Sequence, residues 1–520
     1  MTVAALLAAL DVDVAVVEKN AGTADDPKAI SLDDESLRAY QRAGIVADVL
    51  RAIVPGTGTR YYDSDNQPVF HARAAVPYRS GYPFKNPFAQ PDLERVLHAA
   101  LERSPRVDLR FSTELIGLEQ DDQGIVAQTV GPAGEGQISA RYALGADGGR
   151  SRVRSLLGIT MSGRSHDDVW LVIDALGDAH KERYGMHHGD PRRPYVIVPG
   201  LHGRCRYEFY LYPGECDATS DPPFELIQRL LEPHRSIAPD QVERAVTYRF
   251  HGLSAASWYS GRAFLLGDAA HMMPPFAGQG LNTGIRDAAN LAWKLAAVVK
   301  GSAHESLLES YEVERRPHAE AVIRSSERLG RIVMTTNPRI ARFRDQVVRR
   351  ALESEAGRAF FKEMRYRPST RIVSGAVHDP SSNPLVGTVI GQPLVFDFGS
   401  HRCLPFDELL GQGWSVVAVG LGQGGDVEWS QAMDSLRGID ARLLDVPLDD
   451  LVYDRPDPIG IAIDLDTRLY SEFEPARGSF VIIRPDRVVA AVAAAGQLQE
   501  VISDLGFFTH AQPIAAAPTR

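Results

Sequence analysis

The sequence predicts an α/β protein in which strands end at aspartates and hand over to glycine loops and helices. Three observations predict this. Residues 261–294 open with an apolar run, Ala263 to Leu266, short enough for a buried strand. The run stops at Gly267-Asp268, passes through Pro274-Pro275-Phe276-Ala277-Gly278-Gln279-Gly280, which its prolines keep out of a helix, and enters a helix near Leu281-Asn282. A second strand-like run ends the same way, at Gly145-Ala146-Asp147-Gly148-Gly149. Third, 520 residues with 44% hydrophobic and 24% charged side chains are enough for roughly two to four globular domains.

Taken in order, residues 3–10 read as a helix and residues 12–18 as a strand ending in Glu18. In a dinucleotide fold the acid at the end of the second strand bonds a ribose hydroxyl, and Glu18 is well placed for that. Residues 36–49 read as one helix with Leu37, Tyr40, Ile45 and Val49 on its apolar face. Gln90 and Pro91 open another helix that runs to about Leu101, followed by strand-like runs at 107–111 and 125–129. Residues 158–257 differ in character: runs 170–174, 195–198 and 206–212 are strand-like, and the last alternates well enough to present one face to a pocket. After Gly280 the helix has its apolar face on Leu281, Ile285, Ala288, Ala292 and Leu295. Its glycine-flanked start offers free N–H groups and a partial positive charge to an anion. His271 lies in the same stretch and reads as a packed, hydrogen-bonded structural residue. Residues 317–362 are helical and charged on one side. Composition shifts near Pro384 and Gly387, and strand and helix signals then alternate to about residue 508.

Composition excludes several function classes. Lys+Arg 56 against Asp+Glu 67 gives a net charge of −11, which argues against a nucleic-acid footprint. Cys205, Cys216 and Cys403 form neither a CxxC nor a metal spacing, so no metal site and no disulfide framework is expected and a reducing cytoplasm is the default. No run approaches the ~18 apolar residues of a membrane span. The apolar start of the chain lacks a basic leader and is followed by Asp11 and Asp13, so it is not a signal peptide.

The pair GADGGRSRVR (145–154) and GDAAHMMPPFAGQGLNTGIRDAANLAWKL (267–295), with LLESYEVERRP (307–317) behind it, resembles the internal motifs of FAD-dependent aromatic-ring hydroxylases, the single-component flavoprotein monooxygenases. The likeness runs over nearly the whole chain. It is greatest to 3-(3-hydroxyphenyl)propionate hydroxylases, through Arg193-Pro194-Tyr195-Val196, Arg206-Tyr207-Glu208-Phe209, Pro213-Gly214-Glu215 and Arg484-Pro485-Asp486-Arg487. The resemblance implies a Rossmann-like FAD-binding domain over 1–157 and 258–330, a substrate-binding β-sheet domain over 158–257, a helical connector over 331–385 and a thioredoxin-like domain, without redox cysteines, over 386–520. It implies FAD as bound cofactor, NAD(P)H as transient co-substrate, and O2 and a small phenolic substrate as partners; a homodimer is left open. It implies cofactor contacts from Lys28, standing where the family has arginine, and from Gln90, Asp147, Gly148, Gly267, Asp268, Gly278 and Gln279. Gly280, Leu281 and Asn282 would face the flavin N1/C2 edge, and the backbone of Pro275 would lie near C4a. No side chain is assigned as a nucleophile. In the sheet domain Tyr195, Arg206 and Phe209 are the substrate candidates: an aromatic-lined pocket suits a phenolic ring, and an arginine suits a carboxylate.

The family's opening strand and GxGxxG are not seen ahead of residues 3–10. The expectation is a start site roughly twenty or more residues upstream, against a truncated, flavin-free paralogue that serves as a binding protein. A GxGxxG does occur at 420–425 after a strand-like run, but it falls within the stretch read as thioredoxin-like and is not taken as a nucleotide site. A polyketide-tailoring hydroxylase of the same fold is the other alternative.

Overall fold

The computed structural model describes residues 1–505 apart from 57, 74–75, 218–220, 423–424, 438–439 and 449–457. The strands that lead into the motifs form two small sheets. Val14–Val17 pairs in parallel with Val107–Arg110. Ala143–Gly145 pairs in parallel with Ala263–Leu265, which carries Tyr259–Ser260 on its other side. The Rossmann-like sheet is therefore in two pieces, with no described strand joining them. Helices Thr2–Ala9 and Gly280–Val299 pack together over these strands, and Leu6, Leu7, Phe264, Leu265, Leu291 and Leu295 share one core. The single helix expected over 36–49 is two, Asp34–Arg42 and Val46–Arg51. Gly44 lies between them at φ +74°, a left-handed turn that glycine adopts without strain.

The second layer is an eight-stranded, mostly antiparallel sheet. Its centre is Met161–Ala175, Cys205–Leu211 and Tyr195–Pro199. It is not confined to 158–257: Thr59–Tyr62 joins it in parallel beside Gly185–His188, Pro68–Ala72 follows, and His271–Met272 closes the other edge. A sheet takes its edges by register, so sequence contiguity underestimates it.

Helix Ser310–Val333 continues through Pro317, and the expected connector resolves into this helix, Pro338–Leu352 and Glu355–Lys362, the last two capped by Asn337 and Ser354. The thioredoxin-like part is a seven-stranded sheet. Trp414–Val419 runs parallel to Ala441–Val446 and antiparallel to Ser479–Ile483, which pairs with Val489–Ala493, and separate apolar clusters cover its two faces. The glycine run at 420–425 lies between the inner strand Trp414–Val419 and helix Asp426–Ser435; Gln423 and Gly424 lie outside the described residues.

Buried charge joins this unit to the rest. Arg484 donates to Glu314 (3.0 and 2.8 Å) and to Asp486 (2.9 and 2.5 Å). Glu314 also accepts from Lys294 Nζ (2.8 Å), Asn290 Nδ2 (2.7 Å) and the Ala376 N–H (2.8 Å). A second cluster pairs Arg38 with Asp407 (2.7 and 2.5 Å), with Arg487 3.2 Å from the same carboxylate. Burial alone would raise both acids. Arg484 and Lys294 outweigh it and hold Glu314 well below the usual carboxylate range, and Arg38 and Arg487 hold Asp407 at about 2. Burial takes Lys294 down to about 8 despite Glu314.

Candidate active site

The parallel register sets the site. Gly145 stands opposite Leu265 on adjacent strands, so Asp147 and Asp268 leave the same carboxyl edge, where open α/β sheets bind ligands. The two are used differently. Asp147 accepts from Ser151 Oγ (2.5 Å), Arg152 N (2.6 Å) and Val153 N (3.0 Å), and so supports the start of the short helix Arg152–Leu156, which Ser151 caps. Arg154 donates to Gly149 O (2.8 Å) and Ala269 O (2.9 Å), tying the two motifs together. Asp147 thus spends its carboxylate on its own loop, which leaves Gly148, at φ +78°, as backbone that another group can approach.

Asp268 is the open one. It sits in a recess whose surrounding protein raises its pKa, against the pull of His271 and Lys28, yet its side chain stays accessible. Behind it, Gly267 (φ +56°) and Gly284 come so close that a Cβ on Gly284 would lie 3.1 Å from the Gly267 Cα, so the helix can seat directly against the strand end. Helix Gly280–Val299 starts with no side chain capping it. Gly278, at φ +61°, turns the loop before it, and Pro275 opens a short 3-10 turn. Asn282 is committed: its Oδ1 accepts from Asp33 N (2.9 Å) and Ser36 Oγ (2.8 Å), and its Nδ2 donates to Ser31 O (3.0 Å) and Gly278 O (2.7 Å). It fixes the helix start, so what faces outward there is the backbone of Gly280 and Leu281. An open carboxylate, an uncapped helix start and glycines that clear the backbone suit the ribityl and pyrimidine edge of a flavin. His271 is packed and bonded, as its sequence context predicts: its Nε2 lies 2.7 Å from Asp287, which also pairs with Arg315 (3.0 Å).

Other candidates build the frame. Glu18 ends its strand and its Oε1 accepts from Asn20 N (2.8 Å). Gln90 accepts from Ala29 N (2.9 Å) and donates to Glu94 (2.6 Å), so its amide holds the loop that carries the exposed Lys28. Arg206 is buried, pairs with Asp174 (2.6 and 3.0 Å) and donates to the Lys28 carbonyl (2.6 Å) and the Pro27 carbonyl. It is a positioning residue for that loop, not a free partner for a substrate carboxylate. Tyr195 and Phe209 are also corrected. Strand alternation puts Phe209 with Tyr207 and Leu211 in the core under helix Phe224–Leu231, and half-buried Tyr195 packs against that same core. The opposite face carries Trp170, Val196, Tyr210 and Phe250, and Phe276 of the proline–glycine loop packs there.

Sequence reading missed a cavity beside Gln279. Its volume is about 250 Å³, and Asp34, Phe84, Arg286, His318, Ser326 and Arg367 are among its lining residues. Arg286 pairs with both Asp33 and Glu35. Arg367 reaches Asp33 (3.3 Å) and Gln279 Oε1 (3.0 Å), with its guanidinium 4.6 Å from the Phe84 ring centre. Ser326 Oγ is buried with no protein partner among the described residues, an orphan suited to a bound molecule. The available signal was the run Asp33-Asp34-Glu35 at a helix start; its arginine partners, more than two hundred residues away, were not legible.

Comparison with known proteins bears on this arrangement. Residues 1–326 match the family model described as an FAD binding domain, and residues 387–507 match the HcaD C-terminal domain. The chain is 36% identical over 526 residues to a 3-(3-hydroxy-phenyl)propionate/3-hydroxycinnamic acid hydroxylase of Mycolicibacterium gilvum, covering 97% of this chain and 89% of that protein. It is 33% identical to the enzyme numbered 2 under the same name from Burkholderia vietnamiensis, covering 98% and 95%. Among solved structures, the ternary complex of aklavinone-11 hydroxylase with FAD and aklavinone superposes with a TM-score of 0.76 at 24% identity, covering 97% of this chain and 96% of that one.

Proposed function

Because this chain belongs to the FAD-dependent aromatic-ring hydroxylases, we propose that it hydroxylates a single-ring phenolic acid of the 3-(3-hydroxyphenyl)propionate class, with NAD(P)H as reductant and O2 as oxygen source. The observation that carries the reading is the cavity beside the glycine loop. A void of about 150 Å³ admits benzene. The cavity here, about 250 Å³ and open to solvent on one side, has room for one ring with a short side chain. With the single-ring acid in the names of the relatives matched over nearly the whole chain, it supports that substrate class over the polycyclic substrates of polyketide tailoring.

Bound FAD supplies the activation of O2 and the transfer of one oxygen atom to the ring. The residues of this chain do the rest. Asp268 and the backbone of Gly280 and Leu281 would hold the flavin, with the charge of the helix start favouring its reduced anion. Asp147, Asn282, Gln90 and Arg206 fix the loops that carry those groups. Gln279 and Arg367 join the cofactor loop to the cavity wall. We also place the protein in a reducing cytoplasm, a reading supported by its three free cysteines. Among the described residues no helix is long and apolar enough to cross a membrane.

The test is NAD(P)H oxidation by FAD-loaded protein with 3-(3-hydroxyphenyl)propionate and with a polycyclic phenol, the product followed by mass. One added oxygen on the single-ring acid is expected. Turnover of the polycycle alone would overturn the substrate class, and protein that takes up no FAD would favour the binding-protein alternative.

A further inference from the structure

The ion-pair network around the cavity leaves one carboxyl group over. Asp33, Asp34 and Glu35 follow one another at the start of helix Asp34–Arg42. Asp33 caps that helix through Ser36 N (3.0 Å) and pairs with Arg286 and Arg367, and Glu35 pairs with Arg286. Asp34 lines the cavity and, among the described residues, no arginine or lysine lies within ion-pair distance of it. The groups around it come from five elements. Asp33 and Glu35 flank it on its own helix. Arg367 and Glu363 stand on the segment after residue 362, and Arg286 on the glycine-loop helix. Ser80 lines the cavity beside it, and the neighbouring Arg79 is held 2.5 Å from Glu472. His318, on the long helix, is held neutral by burial and by Arg315. The cavity thus offers a bound molecule one carboxyl group without an ion-pair partner.

Resting on the function proposed above, we infer that Asp34 is the base that takes the ring-hydroxyl proton of the phenolic acid bound in this cavity. The phenol O–H bond breaks, an O–H bond forms on the Asp34 carboxylate, and the electron pair stays on the phenolate oxygen; nothing is oxidised or reduced. The phenolate raises the electron density of the ring carbon that receives oxygen, and Arg367 supplies a nearby positive charge. Burial, with the charges of Asp33 and Glu35, pushes Asp34 up to about 7, against Arg367 and Ser80. A carboxylate of ordinary pKa would be a poor base toward a phenol near 10, whereas one near neutrality is matched to the task. The sign is fixed: Asp34 acts as a base only when ionised, so the rate falls as pH drops below its pKa.

The experiment is a pH profile of kcat/KM for product formation from 3-(3-hydroxyphenyl)propionate by FAD-loaded wild type and Asp34→Asn, with substrate affinity read from the flavin absorbance change. Wild type is expected to lose activity about tenfold per pH unit below a pKa near 7. Asp34→Asn is expected to lose that limb and about 10²–10⁴-fold in rate, with substrate affinity changed only a few-fold. An active wild type whose acid limb and rate persist in Asp34→Asn overturns the role of Asp34 and leaves the substrate class standing. A wild type that turns over no single-ring phenol overturns both. If Asp34→Asn does not retain flavin, Asp34→Glu decides: an active enzyme with a displaced limb supports the assignment, and an undisplaced limb refutes it.

Discussion

The junction with the thioredoxin-like unit and the rim around Asp268 and Asp34 are built from the same residue types and do opposite things with them. At the junction Glu314, Lys294, Arg484, Asp486, Arg38 and Asp407 are buried, and each meets an opposite charge within 3.2 Å. At the rim, Asp268 is open and, among the described residues, Asp34 has no ion-pair partner, Ser326 Oγ has no protein partner and the helix start has no side-chain cap. Paired buried charge fixes one arrangement of the chain, because breaking one pair strands another charge. Polar groups left unsatisfied at the end of strands are what a ligand can complete. The contrast separates residues that hold the fold from residues that await a molecule, where residue type alone cannot.

The sharpest way to break it is Glu314→Gln. If the junction is structural, leaving Lys294 and Arg484 without their anion costs about 3–5 kcal/mol of unfolding free energy, read by denaturant titration. A loss under 1 kcal/mol would mean water reaches those charges. At the rim, Asp268→Asn should leave the unfolding midpoint unchanged and weaken FAD binding about 10–100-fold, the worth of a hydrogen bond to a charged group. Flavin fluorescence measures it, and equal losses in stability and affinity would erase the distinction. Asp407 gives the third comparison. Its pKa in the folded state, about 2, lies below the unfolded value, so its stabilisation is present above about pH 4 and lost as pH falls toward 2. The loss should be about 2 kcal/mol and absent from Asp407→Asn, as acid titrations of both proteins would reveal. Smallest is Phe209→Leu. Packed under helix Phe224–Leu231, it should cost about 1 kcal/mol and leave KM unmoved; a large rise in KM would return Phe209 to the substrate pocket.

Much of this was legible in the chain. The motifs at 145–154 and 267–295 gave both strand ends, the turn at Gly278 and the helix start, because short apolar runs followed by acids and glycines have few other solutions. Tyr195 and Phe209 failed on parity: alternation says that two faces exist, not which one faces the cofactor loop. Arg206 failed because its partner, Asp174, lies on the neighbouring strand, and pairing across a sheet is invisible without register. Asp34 was overlooked among three adjacent acids, since what distinguishes it is the distance of Arg286 and Arg367. Arg484-Pro485-Asp486-Arg487 was recognised as a motif, but its work became visible only with Glu314 and Asp407 opposite it.

One helix belongs to both regions. Gly280–Val299 starts at the cofactor rim and, ten and fourteen residues later, gives Asn290 and Lys294 to the Glu314 cluster, roughly 15–21 Å along its axis. The tail unit therefore grips the far end of a rod whose near end is the rim proposed to seat the flavin. Severing the chain between the helical segment and the tail would free that rod to rock, and the enzyme would report its missing tail first as a loosened cofactor, while the cavity beside Gln279 was still intact.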